Sequence, residues 1–126
     1  MVTPADANRA RQEARALAGE VGFDIADTEM VALATRELAT NLVRYAVCGR
    51  LSLTVLDENS TLGIEIESRD DGPGIANLGQ AMEDGFSTGG GLGSGLPGVR
   101  RLMDDFQISS GPDGTHVRAR KWLRTR

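Results

Sequence analysis

Apolar positions recur at two different periods along the chain, and the change of period divides it into elements. Ala10, Ala14, Leu17, Ala18 and Val21 fall at helical spacing. Thr3-Pro4-Ala5-Asp6 ahead of them reads as a helix start, with a capping threonine, a proline in the first turn and an acid three residues after the cap. Gly22 reads as the stop. The small residues of this stripe suit close packing on a sheet or on another helix. A second helix is predicted from Asp24 or Asp27 to about Val47, with Val31, Ala34, Leu38, Leu42 and Tyr45 as its buried stripe. The period then drops to two. Leu51, Leu53 and Val55 alternate with Ser52 and Thr54, and Leu62, Ile64 and Ile66 alternate with Gly63 and Glu65. Asp57-Glu58-Asn59-Ser60 between these strands reads as a hairpin turn, so one sheet face packs on helices and the other is more polar. Ala76 to Asp84 reads as a short helix, and Leu96 to Asp104 as another with Leu96, Val99, Leu102 and Met103 apolar. Phe106 and Ile108 open a strand, Gly111-Pro112-Asp113-Gly114 turns it, and Thr115 to Leu123 forms the last strand with Val117 and Ala119 facing inward.

Size and charge narrow what these elements can do. A chain of 126 residues is large enough for one core and too small for two, and neither a repeat nor a linker divides it; residues 1–126 are expected to form one domain. A net charge of −4 leaves no basic footprint for nucleic acid. The run Arg118 to Arg126 is locally basic and reads as a solvated strand edge rather than a DNA arm. The lone cysteine, Cys48, cannot form an internal disulfide, which suits a reducing compartment. With no stretch of 18 apolar residues and no signal-peptide pattern, a cytoplasmic protein away from the membrane is expected. His116, alone of its kind, falls on an alternating strand and reads as a surface residue; Trp122 and Tyr45 read as packing.

Three stretches carry candidate chemistry. The segment from Gly85 to Gly98 holds seven of the chain's sixteen glycines and runs into the helix beginning near Leu96. Such a segment is either a flexible linker or a loop whose backbone approaches an anion such as phosphate. On the second helix, Glu37 and Asn41 lie about 60° and about 20° from Ala34 and one turn apart, roughly 6 Å along the axis. They read either as a helix-edge pair meeting solvent or as a carboxylate that takes a proton beside an amide oxygen that binds a hard cation such as Mg²⁺. Asp70 leaves a core strand just before Gly72-Pro73-Gly74. Gly-Pro-Gly alone makes a turn; an aspartate held there can also accept from the amino group of adenine, where guanine shows a carbonyl and is repelled.

Other glycine-loop chemistries do not fit. Gly93-Ser94-Gly95-Leu96-Pro97-Gly98 matches the dinucleotide pattern, but no strand precedes it, and Asp113 sits in a turn. A P-loop needs Gly-Lys-Ser/Thr, and the only lysine is Lys121. No Cys/His cluster offers a zinc site, and no nucleophile elbow accompanies the single histidine.

Four boxes in order, Glu37-x-x-x-Asn41, Asp70-x-Gly72-x-Gly74, Gly91-Leu92-Gly93-Ser94-Gly95-Leu96 and Gly114-Thr115, resemble the GHKL superfamily of ATP-binding proteins, which includes gyrase, MutL and histidine kinases. Within it the chain resembles the small anti-sigma-factor serine/threonine kinases, above all the switch kinases of bacterial stressosomes. That likeness rests on Glu37-Leu38-Ala39-x-Asn41, on Asp84-Gly85-Phe86-Ser87-Thr88, on Gly93-x-Gly95-Leu96-Pro97-Gly98-Val99-x-Arg101-Leu102-Met103-Asp104 and on Lys121-Trp122-Leu123-Arg124. It covers residues 8–124. The resemblance implies an α/β (α+β) two-layer sandwich, with helices over one face of a mixed, mostly antiparallel sheet and ATP between the layers. It implies that Asn41 binds Mg²⁺, that Glu37 is the general base for an incoming serine hydroxyl, and that Asp70 reads adenine with Thr115 beside it. It further implies that Gly72, Gly74, Gly91, Gly93 and Gly95 shape the pocket and its lid, with Ile75, Leu92, Ser94 and Leu96 in the same boxes. Its implied partners are STAS-domain antagonist or scaffold proteins and, in a second role, a PP2C-type phosphatase; an anti-sigma factor is a third reading. Such kinases usually open with a strand ahead of the first helix, for which this sequence has no residues, leaving an open sheet edge or a start further upstream.

Overall fold

A computed structural model describes residues 4–45, 49–70, 96–111 and 114–123. The order is α1 (Pro4–Val21), α2 (Ile25–Tyr45), β1 (Gly49–Glu58), β2 (Thr61–Asp70), α3 (Leu96–Leu102), β3 (Asp105–Gly111) and β4 (Gly114–Trp122). Thr3, the short helix expected over 76–84, and the turn residues Pro112 and Asp113 lie outside the described residues.

Local chemistry sets the ends of the first two helices. α1 stops at Gly22, whose φ of 115° is open to glycine and strained for other residues. The amides of Gly22 and Phe23 both donate to Ala18 O at 3.1 Å, the 5→1 and 6→1 bonds of a glycine cap, which close the last turn. Asp24 then caps α2, its Oδ1 accepting from Asp27 N at 2.7 Å. Thr28 Oγ1 donates back to Phe23 O, so the turn between the helices is tied at both ends.

The sheet has the order β1-β2-β4-β3. All three pairings are antiparallel, and no parallel pair occurs among the described residues. β1 and β2 are joined by Asn59 and Ser60, with φ of 53° and 65°. Two residues at positive φ make the type I′ turn whose twist matches the strands it connects. The register sets Leu53, Ile66, Ala119 and Phe106 in one row across the sheet. On that face the two buried strands present Ile64, Ile66, Val117 and Ala119 to Ala14, Ala18, Val31, Ala34 and Leu38 of the helices, with Val99 and Met103 beside them. Val31, Leu38, Ile64 and Ile66 are fully buried, each contributing about 1.5–3 kcal/mol. The result is helices over one face of an antiparallel sheet, the two-layer fold expected.

Several positions differ from the sequence pattern. Val55 points to the helix side but lies on an edge strand and stays 46% exposed. Ala10 is only half-buried, and Ala7, one turn earlier, is buried instead. α2 is covered nearly all round in its middle, by α1, α3 and the sheet, so Ala32, Thr35 and Ala39 are buried as well as Val31, Ala34, Leu38 and Leu42 of the expected stripe. Thr35 Oγ1 meets its need for a partner by donating to Val31 O at 2.8 Å.

The part of the basic C-terminal run within β4, residues 118–122, does not lie on a strand edge. β4 is an interior strand, with β2 and β3 on either side. Arg120 Nε donates to Glu65 Oε2 at 2.7 Å, and Arg118 lies 3.6 Å from Glu65 and 3.5 Å from Glu67. Alternation sends Lys121 to the opposite, helix-covered face, where it is 3% exposed. There its Nζ donates to Leu102 O at 2.9 Å and stands 3.9 Å from carboxylate oxygens of Asp27 and Asp104. An ammonium taken out of water needs such partners, and these fasten the start of α2 and the end of α3 to β4.

Trp122 also does more than pack. Its Nε1 donates to Asp105 Oδ2 at 2.9 Å, and its ring stands close over Gly63, its ladder partner on β2. A Cβ at Gly63 would come within 2.7 Å of Trp122 Cε3 and 2.8 Å of the Lys121 carbonyl oxygen. The carbonyl belongs to the sheet ladder and cannot step aside cheaply. Gly63→Ala is expected to destabilise the fold by about 1–3 kcal/mol, seen as a lower urea midpoint with unchanged slope.

Candidate functional site

β2 brings an acid to the mouth of the two layers. Ile64, Ile66 and Ser68 alternate on the helix-facing side, and Asp70 follows in the same phase at the strand's end. The ladder between β2 and β4 ends at the pair Arg69 and His116. One residue further, the Asp70 side chain takes over as acceptor, receiving Thr115 N at 3.1 Å on Oδ1. Thr115 Oγ1 in turn lies 2.8 Å from Ser110 Oγ, across the β3–β4 pair. A carboxylate, a backbone amide and two hydroxyls are thus gathered at one end of the helix-covered sheet face.

α2 reaches the same end. Gly49 is the ladder partner of Asp70, and the Leu42 side chain lies so close to Gly49 that an added Cβ would stand 2.9 Å from its Cδ2. Asn41, half-buried, immediately precedes Leu42. Glu37, one turn earlier, is only 5% exposed, with Arg36 Nη1 3.8 Å from its Oε1. Of the two sequence readings of this helix pair, Glu37 at least does not sit on a solvated helix edge. Leu96 opens α3 and is buried in the core cluster. Gly72, Gly74, Ile75, Gly91, Leu92, Gly93, Ser94 and Gly95 lie outside the described residues, as does the Tyr45 side chain.

Behind the site, on the helix-free face, the expected surface histidine is half-buried in an ion-pair cluster. His116 Nε2 lies 2.6 Å from Glu67 Oε2, and Arg69 Nη2 and Arg118 Nη2 each stand 3.5 Å from the same oxygen. The His116 hydrogen bond holds the Glu67 carboxyl below its ordinary 4.5, against an opposing push from burial and with help from the Arg69 and His116 charges and the Arg118 hydrogen bond. A carboxyl with a folded pKa lower than its unfolded one stabilises the fold fully above the unfolded value and loses that contribution as pH falls through the folded value. Glu67→Gln is therefore expected to lower the thermal midpoint at pH 7 and to converge with the unaltered chain as pH drops below 4.5. A constant gap between the two acid-unfolding curves would show that the cluster contributes nothing through titration.

The sequence reading passed over Ser68, Ser110 and Lys121. The first two could have been found from period alone, since each continues an apolar phase, Ile64-Ile66 and Phe106-Ile108, with a hydroxyl. Lys121 follows Val117 and Ala119 in the same way.

Helices over one face of an antiparallel sheet are the fold of the histidine kinase-like ATPases, and the family model for the histidine kinase-like ATPase domain matches residues 2–121. The chain belongs to that family. Serine/threonine-protein kinase RsbT of Bacillus subtilis (strain 168) is 44% identical to it over 125 residues, 98% of this chain and 94% of that protein. In three dimensions it resembles the histidine kinase domain from the Erythrobacter litoralis EL346 blue-light activated histidine kinase, with a TM-score of 0.55 and 21% identity. That match spans 94% of this chain and 63% of the other, and it shows the shared fold. No helix among the described residues is long and apolar enough to cross a membrane.

Proposed function

We propose that the chain is an ATP-dependent serine/threonine protein kinase that passes the γ-phosphate of ATP to a STAS-domain stressosome or antagonist protein, as a switch in bacterial stress signalling. All 126 residues are read as one ATP-binding kinase domain working in the cytoplasm. The observation that carries the reading is the Asp70 carboxylate fixed by Thr115 N–H at the end of β2, in a chain 44% identical to a serine/threonine-protein kinase.

The donor set suits an adenine nucleotide. An acceptor-only carboxylate held rigidly at a strand end complements an amino group and opposes a carbonyl. Glu37, nearly withdrawn from water on α2, is assigned the general-base role of taking the proton of a serine hydroxyl. Among the described residues no three His, Cys, Asp or Glu side chains gather as a metal cage. A Mg²⁺ ion held through the Asn41 amide oxygen would fill its shell with phosphate oxygens and water, a usual arrangement for this cation. Gly72, Gly74, Ile75 and the run from Gly91 to Leu96 are assigned to the nucleotide pocket and its lid. Phosphoryl transfer relies on positioning and charge neutralisation, which backbone amides and Mg²⁺ supply without a lysine.

The test is to incubate the chain with Mg²⁺-ATP and candidate STAS-domain proteins and to look for a phosphate-sized mass gain on the partner. Asn41→Ala is expected to abolish the gain. No transfer with ATP still bound would point instead to a nucleotide-gated switch that activates a PP2C-type phosphatase or sequesters a sigma factor, which pull-downs with each would separate.

A further inference from the structure

We infer that Ser110 sets the base specificity of this site by orienting the hydroxyl of Thr115, an inference that rests on the ATP reading above. Ser110 and Thr115 are directly opposed across β3 and β4, with their side-chain oxygens 2.8 Å apart. Thr115 N, on the same residue, donates to Asp70 Oδ1 at 3.1 Å. All three side chains follow the helix-facing phase of their strands, in step with Ile108, Val117 and Ser68.

A hydroxyl has one proton to give and two lone pairs to receive with. Two hydroxyls at hydrogen-bond distance share one proton between them, so fixing one rotor fixes the other. In the arrangement inferred here Ser110 Oγ gives its proton to Thr115 Oγ1 across their 2.8 Å contact, which directs the Thr115 hydroxyl proton away from Ser110 and toward the base, beside the Asp70 carboxylate that Thr115 N holds. Thr115 Oγ1 is then left to accept from Ser110, and Thr115 offers a donor next to the Asp70 acceptor. An acceptor beside a donor complements a base edge that carries an amino group next to an unprotonated ring nitrogen, as in adenine. It opposes an edge that carries a carbonyl next to a ring N–H, as in hypoxanthine. Without Ser110 the Thr115 hydroxyl can turn, its oxygen can accept as readily as its proton can be donated, and the penalty against the wrong edge shrinks.

Ser110 acts through Thr115 and is a positioning residue, so the test reads a ratio of two ligands rather than overall affinity. Binding of ATP and of inosine triphosphate to the full chain is measured by calorimetric competition, with thermal melts confirming that each variant folds. Ser110→Ala is expected to weaken ATP about tenfold and to leave inosine triphosphate within about twofold, the loss of one hydrogen bond felt by one base only. Ser110→Thr keeps the hydroxyl on a strand that favours β-branched residues, and is expected to restore the ATP preference. Equal weakening of both nucleotides, or ATP binding unchanged in Ser110→Ala, overturns the inference and leaves the ATP reading standing. An unaltered chain that binds neither nucleotide overturns the ATP reading and this inference with it.

Discussion

Glu37→Gln is expected to lower phosphoryl transfer by about 10²- to 10⁴-fold, the usual worth of a positioned general base. ATP binding should be retained, because the amide keeps the size and most of the hydrogen-bonding reach of the acid while losing its capacity to take a proton. The helix supports this separation of effects. Glu37 is 5% exposed on a part of α2 packed on almost every side, so its position is fixed by the helix rather than by its own charge. The amide keeps the side chain's size and a carbonyl acceptor, and a thermal melt read beside the transfer assay separates lost chemistry from lost fold. Loss of transfer with the melt preserved is the expected result. Transfer to the partner at the unaltered rate would remove Glu37 from the base role.

Asp70→Asn is expected to weaken ATP by about 10- to 100-fold, as loss of a hydrogen bond to a charged acceptor does. The asparagine carbonyl can still receive Thr115 N, so the end of β2 should stay where it is. What changes is the other half of the side chain, where an amide N–H₂ group replaces an oxygen and meets the adenine amino group donor to donor. Titration calorimetry with ATP reads the loss directly. Affinity equal to that of the unaltered chain would mean that the carboxylate fixed by Thr115 faces something other than the base.

Features decided by neighbouring residues were legible in the sequence. The stop of α1 at Gly22, the Asp24 or Asp27 start of α2 and the turn at Asn59-Ser60 all depend on a few adjacent side chains and their dihedrals. The position of Asp70 at the end of β2 was legible too, and the alternation of Ile64 and Ile66, continued through Ser68, carries its helix-facing phase. Features decided by distant partners were not legible. Lys121 is buried because Leu102, Asp27 and Asp104 come to it from other elements. Its phase, continuing Val117 and Ala119, separates it from Arg118 and Arg120, which meet the acids of β2, but nothing near it in sequence names the partners that let an ammonium be buried there. Val55 shows the same limit from the other side, since an apolar phase does not reveal that a strand lies at the sheet's edge. Thr115 was placed beside Asp70 only by likeness to a family. The bond itself joins residues 45 positions apart, where the end of β2 meets the start of β4.

The burial of Lys121 also governs how the protein can be handled. It is the chain's only lysine, and its side chain is 4% exposed in the fold. Reagents that couple through lysine, from amine-reactive dyes to bifunctional succinimidyl esters, therefore find no side-chain amine on the folded surface. Distance mapping of a complex with a partner calls for carboxylate- or guanidine-directed chemistry instead. Conversely, acylation at Lys121 reports that β4 has parted from the helices.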